Sequence, residues 1–209
     1  MNRGLMTKAA SLAIAGALVA ACSSDAPSPT APISVPVVTQ SLHAPNGSAD
    51  ANGGNFGTPL SAAEEVMPAG VVNESKARGN AVFQLNADGT ALTYRLIVAN
   101  IENVFMAHIH QGPAGTNGPV VVWLYPSTTP GPGATGGGRI DGLIAEGTIT
   151  AANFVGPLAG QALAALVADL TSGNAYVNVH TNDGIAPTNT GPGDFPGGEV
   201  RGQVEHRGH

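Results

Sequence analysis

Two short segments carry the residue types that could do chemistry: MAHIH at residues 106–110 and YVNVHT at residues 176–181. Side chains two positions apart lie on one face of a β-strand, so each segment has a polar face opposite an apolar one. The two polar faces hold Met106, His108 and His110, and Tyr176, Asn178 and His180. If the two strands lie close together, three imidazoles converge.

Three imidazoles are a donor set that suits copper or zinc, and a thioether shifts the preference towards Cu(I). We therefore expect a metal site with His108, His110 and His180 as ligands and with Met106 and Glu199 as further candidates. Bonds of about 2 Å to one ion require ligand nitrogens within about 4 Å of each other. The alternative is that the histidines only bond to neighbouring carbonyls or carboxylates and have a structural role.

The segment GGEVRGQV at residues 197–204 places Glu199 and Arg201 on one strand face. Glu199 could ligate a metal, orient a histidine or pair with an arginine. The residues expected to surround the ligands are Asn178, Tyr176 and Arg201. The remaining candidates are interpreted as solvated: the exposed strand pair Glu64 and Glu65, and the histidines His43, His206 and His209.

Apolar and polar residues alternate with period two along most of the chain after residue 59, which predicts short β-strands. The expected strands lie near 61–66, 80–85, 92–98, 105–110, 120–124, 143–149, 174–181 and 198–205. Leu163, Leu166 and Leu170 recur at helical spacing before Ser172-Gly173, which predicts one helix. The fold class is therefore mostly β, an antiparallel sandwich or barrel of about eight strands with one packed helix.

The first 21 residues are typical of a signal peptide, with Arg3 and Lys8 before an apolar stretch too short to span a membrane. They end in LVAAC, which resembles a bacterial lipobox and predicts lipidation of Cys22, the only cysteine. Residues 22–58 are rich in Pro, Ser, Gly and Asn and are predicted to be a disordered tether. The β domain is expected over residues 59–205, followed by a tail at 206–209.

This organisation predicts a bacterial cell-envelope protein held to the membrane by its lipid anchor. Ser23 follows the cysteine where an inner-membrane retention signal usually has Asp, so the outer membrane is favoured. The net charge of −6 and the scattered eight Lys and Arg exclude a nucleic-acid partner. No protein partner is indicated by the sequence.

Enzyme templates are mostly absent: there is no GxSxG elbow, P-loop or HExxH motif. The glycines at 131, 133 and 136 have dinucleotide-binding spacing, but a proline interrupts them and no helix is predicted to follow. We therefore expect binding or delivery of a metal rather than turnover. An adhesion or scaffold module with structural histidines is the alternative, and a copper-dependent redox enzyme is a weaker one.

Three blocks of the chain resemble the chordin (CHRD) domain family. They are EVMP at 65–68, AHIH at 107–110 with NGPVV at 117–121, and YVNVHT at 176–181 with PGGEVRGQ at 196–203. The resemblance covers about residues 58–205 and implies an extracytoplasmic β-sandwich or barrel. Met67 stands where the family often has Pro, and the segment from Thr181 to Pro196 is longer than expected. The His-Ile-His run also resembles the copper strand of copper-zinc superoxide dismutases, which favours copper.

Overall fold

A computed structural model describes residues 54–207. Most of this part of the chain is β-strand, as the alternating apolar pattern predicts. The strands are β1 (Asn55–Ser61), β2 (Arg78–Leu85), β3 (Leu92–Glu102), β4 (Val104–Gln111), β5 (Val120–Tyr125), β6 (Arg139–Ile149), β7 (Ala175–Thr181), β8 (Val200–Gln203) and β9 (Glu205–His206). One α-helix, α1, spans Leu163–Ser172.

The strands form one antiparallel sheet in the order β5-β4-β7-β8-β1-β2-β3-β6, with β9 paired to β1. The segment that follows β6 reaches back to the other edge strand, where Phe154 bridges to Val122 and the Val155 N–H donates to Val121 O. The sheet is therefore a nearly closed barrel with one helix, which confirms the predicted fold class.

The core of the barrel is built from the apolar face of each strand. On β4 and β7 these residues are Ala107, Ile109, Val177 and Val179, all fully buried. Helix α1 adds Leu166 and Leu170, and it ends at Gly173, whose left-handed conformation (φ 70°) glycine adopts without strain. Among residues 54–207, no helix is long and apolar enough to cross a membrane.

Two local expectations differ from the structure at the start of the domain. Strand β1 begins at Asn55, inside the segment predicted to be tether, because Phe56 and Leu60 are buried in the core. The prediction of a strand over 61–66 was wrong, because Ala62–Glu64 form a 3-10 turn there. Glu65 follows this turn and is not part of an exposed strand pair.

Candidate metal centre

Strands β4 and β7 are neighbours in the sheet, and their register brings the two predicted polar faces together. Met106 lies opposite His180, His108 opposite Asn178, and His110 opposite Tyr176. Side chains of directly opposed residues in an antiparallel pair project to the same side of the sheet. The predicted polar faces therefore form one surface on the outside of the barrel wall.

The three histidines converge on this surface. Each offers one ring nitrogen, and these atoms lie within 4.8 Å of one another. His108 is 2% exposed, His180 5% and His110 8%. Within residues 54–207 they are the one group of three or more potential metal-ligating side chains this close together. Their spacing is slightly wider than the distance of about 4 Å expected for nitrogens already bound to one ion.

Hydrogen bonds to main-chain carbonyls orient two of the rings. His110 Nδ1 lies 2.9 Å from Gly118 O, and His180 Nδ1 lies 2.9 Å from Pro196 O. A carbonyl oxygen can only accept, so in both rings Nδ1–H donates and the neutral ring keeps a lone pair on Nε2. Carbonyls commonly orient metal-binding imidazoles in this way.

The third ring, His108, contacts the lone pair of His180 directly. Its Nδ1 lies 3.0 Å from His180 Nε2, and because that nitrogen holds a lone pair, His108 Nδ1–H is the donor. Two nitrogens bound to one ion at about 2.0–2.1 Å are themselves roughly 3 Å apart. The separation seen in this hydrogen bond is therefore also compatible with two ligands of one ion.

Two nitrogens of the cluster are buried without any hydrogen-bond partner: His108 Nε2 and His110 Nε2. Leaving a buried polar atom unpaired costs about 1–3 kcal/mol, so each such atom calls for an explanation, and a bound ion is one that suits ring nitrogens. His110 Nε2 already presents a lone pair, and His108 can present one from either nitrogen by shifting its proton. These unpaired atoms fit the donor chemistry that a metal ion needs.

Burial keeps all three rings uncharged. Desolvation, followed by the neighbouring rings of His180 and His110, lowers the pKa of His108 to about 2. Desolvation likewise lowers the pKa of His180 to about 4, and it lowers the pKa of His110. Near neutral pH the imidazoles are therefore in the unprotonated form that binds metals.

Aromatic side chains hold the rings from both ends of the cluster. The Trp123 ring meets His108 edge-on at a centroid distance of 4.2 Å, and Tyr176 stacks on His110 at 4.8 Å with an interplanar angle of 10°. The guanidinium carbon of Arg201 lies 3.3 Å from the centroid of the Tyr176 ring. Since β7 lies between β4 and β8, Tyr176 is the middle layer of a His110–Tyr176–Arg201 stack.

The loop of residues 112–119 covers this stack, and hydrogen bonds from Arg201 hold the loop in place. The arginine is 1% exposed, and its guanidinium donates to Thr116 O at 2.9 Å, Asn117 Oδ1 at 3.1 Å and Pro113 O at 3.3 Å. The same loop supplies Gly118 O to His110, while the Gly118 N–H donates to the Tyr176 hydroxyl. Tyr176 and Arg201, two of the residues that the sequence interpretation placed near the ligands, thus lie beside His110 in the structure.

Glu65 is a member of this neighbourhood that the sequence interpretation missed. A Cβ added at Gly198 would lie 2.5 Å from Glu65 Oε1 and 2.7 Å from Asn178 Nδ2, so the two side chains meet over that glycine. Glu65 Oε1 and Asn178 Oδ1 are both buried without a partner. Burial raises the pKa of Glu65 to about 7, against the opposing effect of Arg201. The family resemblance included this glutamate in the EVMP block at 65–68, but the sequence did not indicate that it lies beside the histidine cluster.

The two further ligand candidates occupy different positions. Met106 lies half-buried, opposite His180 and on the histidine side of the sheet. Glu199 is buried with both carboxylate oxygens occupied: it accepts from Ser75 Oγ, Thr181 Oγ1 and the Gly193 N–H. Within the described residues Glu199 is not part of the metal-ligating group, and its bonds tie the 182–198 loop to the barrel.

Comparison with known proteins identifies a family. A family model described as the CHRD domain matches residues 56–204, which is most of the chain and nearly all of the barrel. No curated protein and no solved structure matches the chain significantly. The match includes both histidine-bearing strands and the loops that cover them.

Proposed function

The chain belongs to the CHRD domain family, and from that premise we propose that it is a lipid-anchored protein of the bacterial cell envelope whose CHRD domain binds a transition metal. The ligands are His108, His110 and His180, and copper is favoured over zinc. The observation that carries the proposal is the convergence of three buried, uncharged imidazoles with two unpaired ring nitrogens.

Copper is favoured by the chemistry of the neighbourhood. The donors in the group are nitrogens, and Met106 could add a thioether from the position opposite His180. Imidazole binds both copper and zinc, whereas thioether is a ligand that Cu(I) accepts and zinc rarely does. A bound copper ion would supply a redox-active centre or a transferable cargo. The deep burial of the ligands leaves little open coordination for a substrate, which supports binding or delivery over turnover.

The envelope location is proposed from the sequence around Cys22, which lies outside the described residues. A lipobox followed by Ser predicts acylation of that thiol and, with it, outer-membrane attachment. Two acyl signals are needed for stable anchoring, which a lipidated N-terminal cysteine provides. The test is metabolic labelling with radioactive palmitate: the wild type should be labelled and enter the detergent phase, and Cys22→Ser should do neither. Labelling of the variant would contradict the proposal.

Metal binding is tested on the full chain purified in detergent, stripped with a chelator and dialysed against copper or zinc. We expect one ion per chain by elemental analysis, lost in His108→Ala and in the bulkier His110→Phe. His206→Ala is the matched control, since His206 is exposed and lies against Phe56, away from the cluster. Full stoichiometry in both cluster variants, with folding confirmed by circular dichroism, would remove the site.

A structural role for the histidines is the second candidate, and a specific observation favours it. All three rings already take part in hydrogen bonds. His110 and His180 each donate to a main-chain carbonyl, and His108 bonds to His180. On this alternative the domain is an adhesion or scaffold module, and the cluster only joins two loops to the sheet. A wild-type chain that binds no metal under the conditions above would leave this function standing.

A further inference from the structure

The electrostatic surroundings of the histidine cluster are unusual for a site that takes a divalent ion. Its ligands are three neutral imidazoles, and the group of converging side chains contains no carboxylate. The buried carboxylate of Glu199 directs its oxygens elsewhere, to Ser75, Thr181 and Gly193. An ion entering the cluster would therefore keep its whole charge.

A buried positive charge lies close to the ligands. Arg201 is almost fully buried and, among residues 54–207, it takes part in neither of the two ion pairs, which join Arg95 to Glu146 and Arg139 to Asp141. Its partners are neutral carbonyl oxygens. Since 3.3 Å and 4.8 Å separate successive layers of the stack, the guanidinium lies within about 8 Å of the His110 ring centre.

Glu65 only partly offsets this charge. Its carboxyl meets the Asn178 side chain and interacts electrostatically with Arg201. Burial raises the pKa of Glu65 to about 7, so near neutral pH it is incompletely ionised. Of the two charged groups next to the Tyr176–Asn178 side of the cluster, Arg201 therefore contributes a full positive charge and Glu65 less than a full negative one.

These charges discriminate between ions by valence. The cost of taking an ion out of water grows with the square of its charge, and repulsion by Arg201 grows in proportion to it. For a divalent ion with three neutral ligands, both the desolvation cost and the repulsion by Arg201 are large. For a monovalent, polarisable ion both costs are smaller, and imidazole and thioether are donors that such an ion prefers.

We propose that the site selects a soft monovalent cation, Cu(I) or its analogue Ag(I), over Zn(II), and that Arg201 determines this specificity through the Tyr176–His110 stack. The proposal depends on the proposed metal-binding function and adds the valence of the ion and the residue that sets it. Arg201 is a positioning and specificity residue in this proposal and does not touch the ion.

The wild-type chain provides the first test. Trp123 is the only tryptophan and lies against His108, so its fluorescence reports on this site. The full chain in detergent is titrated with Ag(I), with Cu(I) under anaerobic conditions, and with Zn(II), each against a competing chelator of known affinity. We expect Ag(I) and Cu(I) to bind at least a hundredfold more tightly than Zn(II), with the response abolished in His108→Ala. Equal or tighter binding of Zn(II) would overturn the inference.

The second test isolates the charge. Arg201→Gln should raise the affinity for Zn(II) about tenfold or more relative to that for Ag(I), as expected for one charge at about 8 Å. The matched control Arg201→Lys keeps the charge and should keep the wild-type ratio. Because either change could loosen the 112–119 loop, Glu65→Gln provides an independent reading: removing the partial negative charge should shift the ratio a few-fold further towards Ag(I). Unchanged ratios in Arg201→Gln or Glu65→Gln, in whichever of the two folds, would overturn the role of charge.

The outcomes separate the two proposals. If no ion binds in a His108-dependent way, the proposed metal-binding function fails and this inference with it. If Zn(II) binds tightly and depends on His108, the metal site stands and only the valence selectivity is wrong.

Discussion

Gly118 should be the least replaceable residue of the loop that covers the cluster. A Cβ added there would overlap Gln111 O and lie 2.8 Å from the carbonyl carbon of the same residue. The obstacle is main chain at the end of β4, so the loop itself must move to relieve the overlap. That shift breaks the bond that His110 Nδ1–H donates to Gly118 O and the bond that the Gly118 N–H donates to the Tyr176 hydroxyl, and it misaligns the carbonyls that accept from Arg201.

The magnitude follows from the hydrogen bonds that this shift breaks. One hydrogen bond to the imidazole and one to the hydroxyl are worth about 1 kcal/mol each, and a buried guanidinium with misplaced acceptors adds about 1–3 kcal/mol. We therefore expect Gly118→Ala to lower the free energy of unfolding by about 3–5 kcal/mol, measured by urea denaturation, which corresponds to a fall in Tm of about 10 °C. Metal affinity should fall with it, because His110 loses its orienting carbonyl.

Two glycines serve as matched controls. Gly115 lies in the same loop with open space around its α-carbon but has a left-handed φ of 73°, so alanine there should cost about 1 kcal/mol. Gly197 has open space and no left-handed φ, so alanine should be nearly neutral. A Gly118→Ala chain whose unfolding free energy lies within about 1 kcal/mol of the wild type, with unchanged metal binding, would refute the steric reasoning.

Three further predictions concern buried ionisable groups. Unfolded histidines take up protons near pH 6.5, whereas burial lowers the pKa of all three rings in the fold, to about 2 in His108 and about 4 in His180. Because Glu65 binds one proton in the fold below about pH 7, acidification from pH 6.5 to 4.5 should lower the unfolding free energy by at most about 2.7 kcal/mol per pH unit. A flat urea midpoint across this range would contradict this prediction. The raised pKa of Glu65 acts in the opposite direction: it gives stability that is present below pH 4.5 and lost as pH rises through 7. Glu65→Gln should therefore become more stable relative to wild type by about 3 kcal/mol between pH 4.5 and 8. Glu199→Gln should lower the unfolding free energy by about 3 kcal/mol through its bonds to Ser75 and Thr181 yet leave metal stoichiometry unchanged, and loss of the ion in a folded variant would instead identify Glu199 as a ligand.

The sequence predicted which side chains share a face of each strand, but it did not predict which strands pair with each other. Alternation at 106–110 and 176–181 is a local property of each strand, so it correctly assigned which side chains share a side. That β4 pairs with β7 depends on the whole barrel, because His108 and His180 are 72 residues apart. The convergence was therefore a hypothesis until the sheet order was known.

Features that depend on loops could not be predicted, for the same reason. Glu65 becomes part of the site only because β1 ends at Ser61 and a 3-10 turn carries the chain back towards β8. The role of Arg201 depends on three acceptors in a loop some 85 residues earlier. Side-chain type alone made Glu199 a candidate ligand, whereas its bonds to Ser75 and Thr181 come from tertiary packing.

The pairing of β4 with β7 also determines at what stage of folding the proposed metal site is complete. Neither strand holds three imidazoles by itself, and loop-closure entropy makes contacts between distant segments form late. On the proposed metal-binding function, the chain would therefore have to complete its barrel before an ion could bind, and the ion would stabilise the finished fold and not nucleate it. By mass action, an ion present at about a thousand times its dissociation constant would add about 4 kcal/mol to the free energy of unfolding.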